Sequence, residues 1–489
     1  MEIYPVFFKK CFVFVKILVI NPPGPGNIAY NREGRCMHKI DLWISVLPPV
    51  SLVLLGTILK NLGHHLDVID SAAERLTVKE LENRMSASKY DLVFINTGTP
   101  TIESDLYVAA IAKKANPEAK TAAFGIHPSV LPEKTFGLNS SLDFIIRGEP
   151  EETANRLALA VSKGESPENI PGISYRKGDK IMHNPDRGFI ENLDELPIPD
   201  WSLVPYRKYI MPIRFRPYFY VITSRGCPYS CTFCAQKKYY GEGVRLRSPE
   251  KIVDEIKFLK ANYGISDFMM WADTFTINRE HTMEICERLI HDGIKIHWTT
   301  TTRADLVDEE MLKAMKKAGC WLVVHGIESG DQNILDAIKK GTTVSKIEET
   351  VYLEKRLGLK VIGHFIIGFP DDTKKTVEKT IEFALNLPVD FAQFYFAVPF
   401  PGSELFETCK ERGLIEIGNW SKFEQDSSVI KNQNLTPEEL NRLRIYAYRR
   451  FYLRPGVIWN NLGILKNPHG LGYMFKNGGM FFRSLLGLA

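Results

Sequence analysis

A short loop with three cysteines constrains this chain more than any other feature of it. In Ser224-Arg225-Gly226-Cys227-Pro228-Tyr229-Ser230-Cys231-Thr232-Phe233-Cys234 the cysteines fall at offsets of 0, 4 and 7, directly behind a β-type run at 218–223. On a helix those offsets would share one face, but Gly226 and Pro228 break a helix and predict a loop. Three thiolates on one short loop need a positive partner, and no fourth ligand lies nearby in the sequence. Zinc normally takes four protein ligands in paired groups, and nothing pairs with this loop. An iron–sulfur cube held by three cysteines leaves one iron open to an external ligand. The spacing supports an open-site cluster; a structural zinc loop or three unrelated buried cysteines are the plainer readings.

Phe233, just before the last cysteine, completes the pattern C-x3-C-x-aromatic-C. That segment resembles the signature of the radical S-adenosylmethionine (SAM) superfamily. The resemblance implies a 4Fe-4S cluster on Cys227, Cys231 and Cys234, with the open iron chelating the amino and carboxylate groups of SAM. It also implies a 5′-deoxyadenosyl radical, and an external electron donor such as flavodoxin or ferredoxin.

At 489 residues the chain should hold two or three domains, because a single core rarely grows that far. A net charge of only +4 without a dense basic block argues against nucleic acid as the main partner. The other five of eight cysteines are scattered, which suits a reducing cytoplasm better than a secreted disulfide framework. Lys9, Lys10 and Lys16 interrupt the apolar N-terminal stretch, so no transmembrane segment or signal peptide is expected there. Residues 1–15 read as an extension.

From 16 to 165 the pattern alternates strand and helix. Apolar β runs lie at 17–20, 66–69, 92–96, 121–124 and 144–147, with helical stretches at 50–62, 78–86, 103–114 and 151–163. This predicts a Rossmann-like parallel sheet that binds ligands at the carboxyl ends of its strands. Gly24-Pro25-Gly26-Asn27-Ile28-Ala29 matches the dinucleotide fingerprint. However, Pro25 removes an amide and no helix opens at the loop, so nucleotide binding is not expected. The run Lys16 to Pro23, Leu47-Pro48-Pro49, Gly63-His64, Gly125-Ile126-His127-Pro128-Ser129 and Arg147-Gly148-Glu149-Pro150-Glu151-Glu152-Thr153 together resemble the cobalamin-binding domain that precedes many radical SAM domains. Pro22, Pro23, Thr97, Gly125 and His127, in loops after strands, are the candidate cobalamin contacts. The D-x-H-x-x-G motif that supplies a histidine to cobalt is absent, so cobalamin is expected without that ligand.

Residues 166–215 are proline-rich and read as a connector with a hairpin near 172–181. From 216 to 415 strands are predicted at 218–223, 267–271, 296–300, 321–326, 361–367 and 391–398, each followed by a helix or loop. Six such units fit the partial (β/α)6 barrel of radical SAM enzymes, with chemistry at the carboxyl ends of the strands. There the resemblance assigns SAM contacts to Glu328 and Gly368; Ser329 beside Glu328 is a further candidate contact or a helix cap, and Phe233 lies within the cluster loop. Arg303 and Asp305, and Asp273-Thr274, occupy further cofactor or substrate positions. Cys286, Cys320 and Cys409 read as buried small apolar residues.

The tail, 416–489, opens a helix at Thr436-Pro437-Glu438-Glu439 that interleaves arginines with tyrosines. A packed aromatic face is the plainer reading. The sharper one is a helical cap over the barrel mouth that meets an acidic or apolar small-molecule substrate. The apolar stretch 470–489 could touch a membrane surface from the cytoplasm. The sequence thus predicts an α/β enzyme using a 4Fe-4S cluster, SAM and cobalamin, most simply for C-methylation of an unactivated carbon. An oxidative cyclase of the Mg-protoporphyrin monomethyl ester type and a cobalamin-binding sensor with a structural cluster are the alternatives.

Overall fold

Leu18, Val19 and Ile20 are apolar on consecutive positions, and the chain buries both faces of the strand they form. Ile17 and Val19 pack with Val53 and Leu157 on one side, while Leu18 and Ile20 pack with Leu81 and Val108 on the other. The structure is a computed structural model and describes residues 15–33, 38–40 and 46–457. The expectations for residues 1–14 and for 458–489, including the apolar end of the tail, lie outside the described residues.

The first sheet has seven strands. His65–Asp70, Lys16–Asn21, Leu92–Asn96, Lys120–Phe124 and Phe144–Ile146 run parallel in that spatial order. The hairpin Ile173–Lys177 and Lys180–His183 extends the last edge in antiparallel fashion. Helices Val50–Asn61, Val78–Ser88, Ile102–Ala115 and Pro150–Lys163 lie where the sequence places them, within two residues at each end. Pro25–Asn27 makes a single 3-10 turn and the chain leaves it extended, so no helix opens at the glycine-rich match.

The second sheet also has seven strands. Arg216–Ile222, Asp267–Trp271, His297–Thr302, Cys320–Glu328, Lys360–Ile367 and Phe391–Phe396 are parallel and adjacent in chain order. The two-residue strand Ile210–Met211 pairs antiparallel on the first edge. This is the curled, open (β/α)6 arrangement, and it leaves Phe391–Phe396 as a terminal strand. The tail helix Pro437–Tyr452 covers that strand. Tyr452 Oη donates to Ala392 O at 2.9 Å and accepts from Ala392 N at 3.3 Å, and Tyr448 Oη accepts from Phe394 N at 3.1 Å. Arg444 Nε adds a bond of 2.9 Å to Phe394 O. The helix therefore satisfies edge groups that would otherwise template pairing with another chain. Its aromatic face packs, as the plainer reading has it.

Trp201 of the connector stacks on Phe219 with ring centroids 4.4 Å apart, and one buried cluster runs from the first sheet through the connector into the second. Among the described residues no helix is long and apolar enough to cross a membrane.

Candidate functional site

The cysteine loop leaves the strand Arg216–Ile222 at its carboxyl end. Gly226 makes the turn into it: its φ is +87°, and a Cβ there would lie 2.1 Å from Gly243 O. Only glycine fits such a position. Gly226 N donates to Asp273 Oδ2 at 2.9 Å, and Asp273 also accepts from Gln236 Nε2 at 3.2 Å. Further on, Thr232 N bonds Ile338 O at 3.0 Å and Thr232 O accepts from Leu405 N at 2.8 Å. The loop is thus tied down at both ends of the cysteine triplet.

Cys227, Cys231 and Cys234 are half-buried and line one cavity of about 690 Å³ of empty volume, open to solvent. Cys286, Cys320 and Cys409 are fully buried instead, as expected for small apolar fillers. Among the described residues no three His, Cys, Asp or Glu side chains gather as ligands of one ion. Burial pushes the Cys231 thiol up, opposed by the Lys340 ammonium nearby.

Phe233, Arg303 and Glu328 share this cavity with the cysteines, together with Tyr229, Thr274, Lys340 and Phe400. Glu328 ends its strand with φ +66°, beside a register shift between Gly326 and Glu328. A non-glycine residue in that region stores backbone strain of about 1–3 kcal/mol, and such strain clusters at functional sites. Gly326 supplies the room, since a Cβ there would come within 2.3 Å of Glu328 Oε1 and 3.1 Å of Lys340 Nζ. Arg303 is held by Asp305 through two bonds of 3.0 and 2.9 Å and donates to Lys340 O at 2.6 Å. Its guanidinium carbon lies 3.7 Å from the centre of the Tyr229 ring.

A second cavity, about 670 Å³ of empty volume, lies between the two sheets. The first sheet contributes Asn96, Phe124 and Gly125 at strand ends, with Arg32, Glu33 and Ser51 from flanking segments. The second contributes Arg225, Trp271 and Asp273 and the helix residues Gln236, Tyr239 and Tyr240. Gln236 lines both cavities, so they adjoin. Two buried donors at this wall, Arg32 Nη1 and Arg225 Nε, have no partner among the described residues. Burial raises the Glu33 carboxyl from 4.5 to about 7, against two hydrogen bonds from Ser51 and the charge of Arg225. Asn96 also begins a buried polar row across three strand ends: it donates to Asn21 at 2.9 Å, Asn21 donates to Asp70 at 3.4 Å, and Tyr209 Oη donates to Asp70 at 3.0 Å.

Gly125 is the one residue among the candidate cobalamin contacts that lines this cavity. Pro22 and Pro23 are buried beside the first strand, and Thr97 Oγ1 donates to Phe124 O at 2.8 Å. His127 is sealed: its Nδ1 is 3.3 Å from Thr99 Oγ1, its ring meets Trp420 edge-on at 4.7 Å, and burial lowers it to about 3. Ser329 does not line the cavity of the cysteines. Its hydroxyl accepts from Asp331 N at 3.1 Å and lies 3.0 Å from Thr380 Oγ1, a structural turn ahead of the next helix. Gly368 faces Leu440 of the tail helix, whose Cδ1 is 3.1 Å from where a Cβ would stand. Lys340 escaped the sequence reading because Lys339-Lys340 looks like a solvated pair. Arg225 stood in plain view beside the cysteines, but its partners are more than seventy residues away.

Comparison with known proteins adds independent findings. The profile of the Radical SAM superfamily matches residues 221–384, and that of the B12 binding domain matches residues 45–158. The chain is 37% identical over 411 residues to the uncharacterized methyltransferase PH0819 of Pyrococcus horikoshii, covering 84% of this chain and 89% of that protein. It is 31% identical over 428 residues to the anaerobic magnesium-protoporphyrin IX monomethyl ester cyclase of Rubrivivax gelatinosus, covering 84% and 75%. Its fold is similar to two solved structures at 18% identity. One is the radical SAM methyltransferase TsrM of Kitasatospora setae, with cobalamin and a [4Fe-4S] cluster bound (TM-score 0.67, 83% of this chain and 79% of that one). The other is the cobalamin-dependent SAM radical enzyme OxsB (TM-score 0.70, 97% and 72%).

Proposed function

This chain belongs to the radical SAM superfamily, in the group that carries an N-terminal B12-binding domain, and on that premise we propose that it methylates an unactivated carbon of a small-molecule substrate. The observation that carries this reading is the pair of adjoining cavities. One is walled by three cysteines, and the other opens at the strand ends of the first sheet. Both fit their groups. Three half-exposed thiols on an anchored loop suit a cluster with one open iron. The unpaired donors Arg32 Nη1 and Arg225 Nε suit the carbonyl oxygens of the amides that rim cobalamin.

When bound, the cluster with SAM would supply the 5′-deoxyadenosyl radical, and cobalamin the methyl group. Cys227, Cys231 and Cys234 would hold the cluster. Glu328 would accept hydrogen bonds from the ammonium or ribose hydroxyls of SAM, and Lys340 and Arg303 would meet its carboxylate. Phe233 and Phe400 would keep water from the radical. Gln236, on both walls, would face both cofactors. Reduction would need an external one-electron donor such as flavodoxin or ferredoxin.

The cyclase reading keeps its place because a 31% relative bears that name. One assay separates them. Anaerobically reconstituted protein, a low-potential reductant and methyl-labelled SAM are incubated with candidate substrates. The methylation reading expects 5′-deoxyadenosine together with label in a carbon-bound methyl. Deoxyadenosine and an oxidised, unlabelled product would favour the cyclase, and no deoxyadenosine at all would sink both and leave the sensor.

A further inference from the structure

We propose that Glu149 and Glu151 are positioning residues that couple the two cavities through Arg225. The proposal rests on the two-cofactor reading above and goes beyond it. Arg225 is buried on the wall of the inter-sheet cavity, and Cys227, two residues later, is on the wall of the other. Its Nη1 donates to Glu149 Oε1 at 2.9 Å and its Nη2 to Glu151 Oε1 at 2.5 Å. Both carboxylates sit at the start of the helix Pro150–Lys163, which belongs to the first sheet. The segment Arg147 to Thr153 therefore grips the entry to the cysteine loop from the other domain.

The clamp has further partners around Glu149. Glu149 also accepts from Arg245 Nη1 at 2.9 and 3.0 Å and from Ile190 N at 2.7 Å, and Arg187 Nη2 approaches its Oε2 at 3.4 Å. The Tyr240 ring covers the Arg225 guanidinium at 5.2 Å. Among the described residues Arg225 Nε has no partner, nor do Glu151 Oε2 and Arg187 Nε. Two carboxylates fix the fork of the guanidinium, which leaves Nε as a fixed donor for a ligand of the inter-sheet cavity that Arg225 lines. Arg225 and the next residue, Gly226, are then held by separate partners, Arg225 by Glu149 and Glu151 and Gly226 by Asp273. A ligand that bonds Arg225 Nε therefore biases the backbone that carries Cys227. Coupling of this kind is reciprocal, so the cluster must tighten the inter-sheet ligand by the same factor.

The test is a titration of the full chain with hydroxocobalamin, by absorbance, with and without the reconstituted cluster. The expected result is about tenfold tighter cobalamin binding when the cluster is in place. Arg225→Lys keeps the charge but loses Nε and the fork, and should bring the factor to about one while both groups still bind. Arg245→Met removes a partner of Glu149 that lies on neither cavity, and should keep most of the factor. Should Arg225→Lys fail to fold, Glu151→Gln replaces it with the same expected loss. The midpoint potential of the cluster, measured with and without cobalamin, should shift in the wild type and not in Arg225→Lys. Equal cobalamin affinity in the two wild-type forms, or coupling that survives Arg225→Lys, overturns the proposal alone. A protein that takes no cobalamin in either form overturns the two-cofactor reading with it.

Discussion

Lys340 Nζ lies 2.8 Å from Glu328 Oε1, and both side chains are only 8% exposed on the wall that the three cysteines share. A buried ion pair adds little net stability, because desolvation offsets attraction, but breaking one leaves an uncompensated charge. Its value lies in aim: the ammonium holds a strained Glu328 toward the cavity and brings positive charge beside three thiols.

Lys340→Met should therefore cost about 3 kcal/mol of folding stability and weaken SAM binding by at least about tenfold, about 1.4 kcal/mol. Denaturant unfolding and calorimetric titration of the cluster-loaded protein read the two effects separately. Unchanged SAM affinity would remove Lys340 and Glu328 from the SAM site.

Gly226→Ala places a methyl 2.1 Å from Gly243 O, where the backbone cannot retreat without releasing the loop. The expected outcome is a folded protein that takes up little iron and sulfide on reconstitution, read by iron analysis and the charge-transfer absorbance. Stability should fall by about 1–3 kcal/mol, the cost of a residue forced into strained backbone.

Glu33 gives a pH dependence with a definite sign. Its carboxyl is raised from 4.5 to about 7 in the folded chain, so the folded state binds more protons than the unfolded state between those values. Stability from this group is present below pH 4.5 and declines as pH rises to about 7, by about 3 kcal/mol in all. Glu33→Gln should remove that decline, so that the variant gains stability relative to the wild type between pH 5 and 7. Parallel urea curves at the two pH values check it.

Tyr452→Phe deletes a hydroxyl that serves both the N–H and the C=O of Ala392 on the terminal strand. A loss of about 1 kcal/mol is expected for a buried hydrogen bond. The double variant with Tyr448→Phe bares two positions of the edge and should self-associate, which light scattering would detect.

Most of this architecture was legible because a parallel strand buried on both faces leaves a dense apolar run. The runs at 92–96 and 267–271 became strands with those bounds. The cysteine triplet was legible because thiol spacing has few uses. Legibility stopped where function depends on distant partners. Nothing local marks Lys340 as the partner of Glu328, or joins Arg225 to Glu149. Proximity to a strand end selects candidates without fixing their neighbours: His127 meets Trp420, Ser329 lies beside Thr380 and Gly368 beside Leu440. The hydroxyls of Tyr448 and Tyr452 close a sheet edge, a partnership that no local pattern in the tail marks.

The central claim is that one chain holds both cofactors in adjoining cavities, and elemental analysis tests it most directly. The protein is reconstituted anaerobically with iron, sulfide and hydroxocobalamin, freed of excess by gel filtration, and assayed for metals. About four irons and about one cobalt per chain are expected, with iron alone lost in Cys231→Ala. Iron without retained cobalt would contradict it and leave a radical SAM enzyme whose first domain does something else.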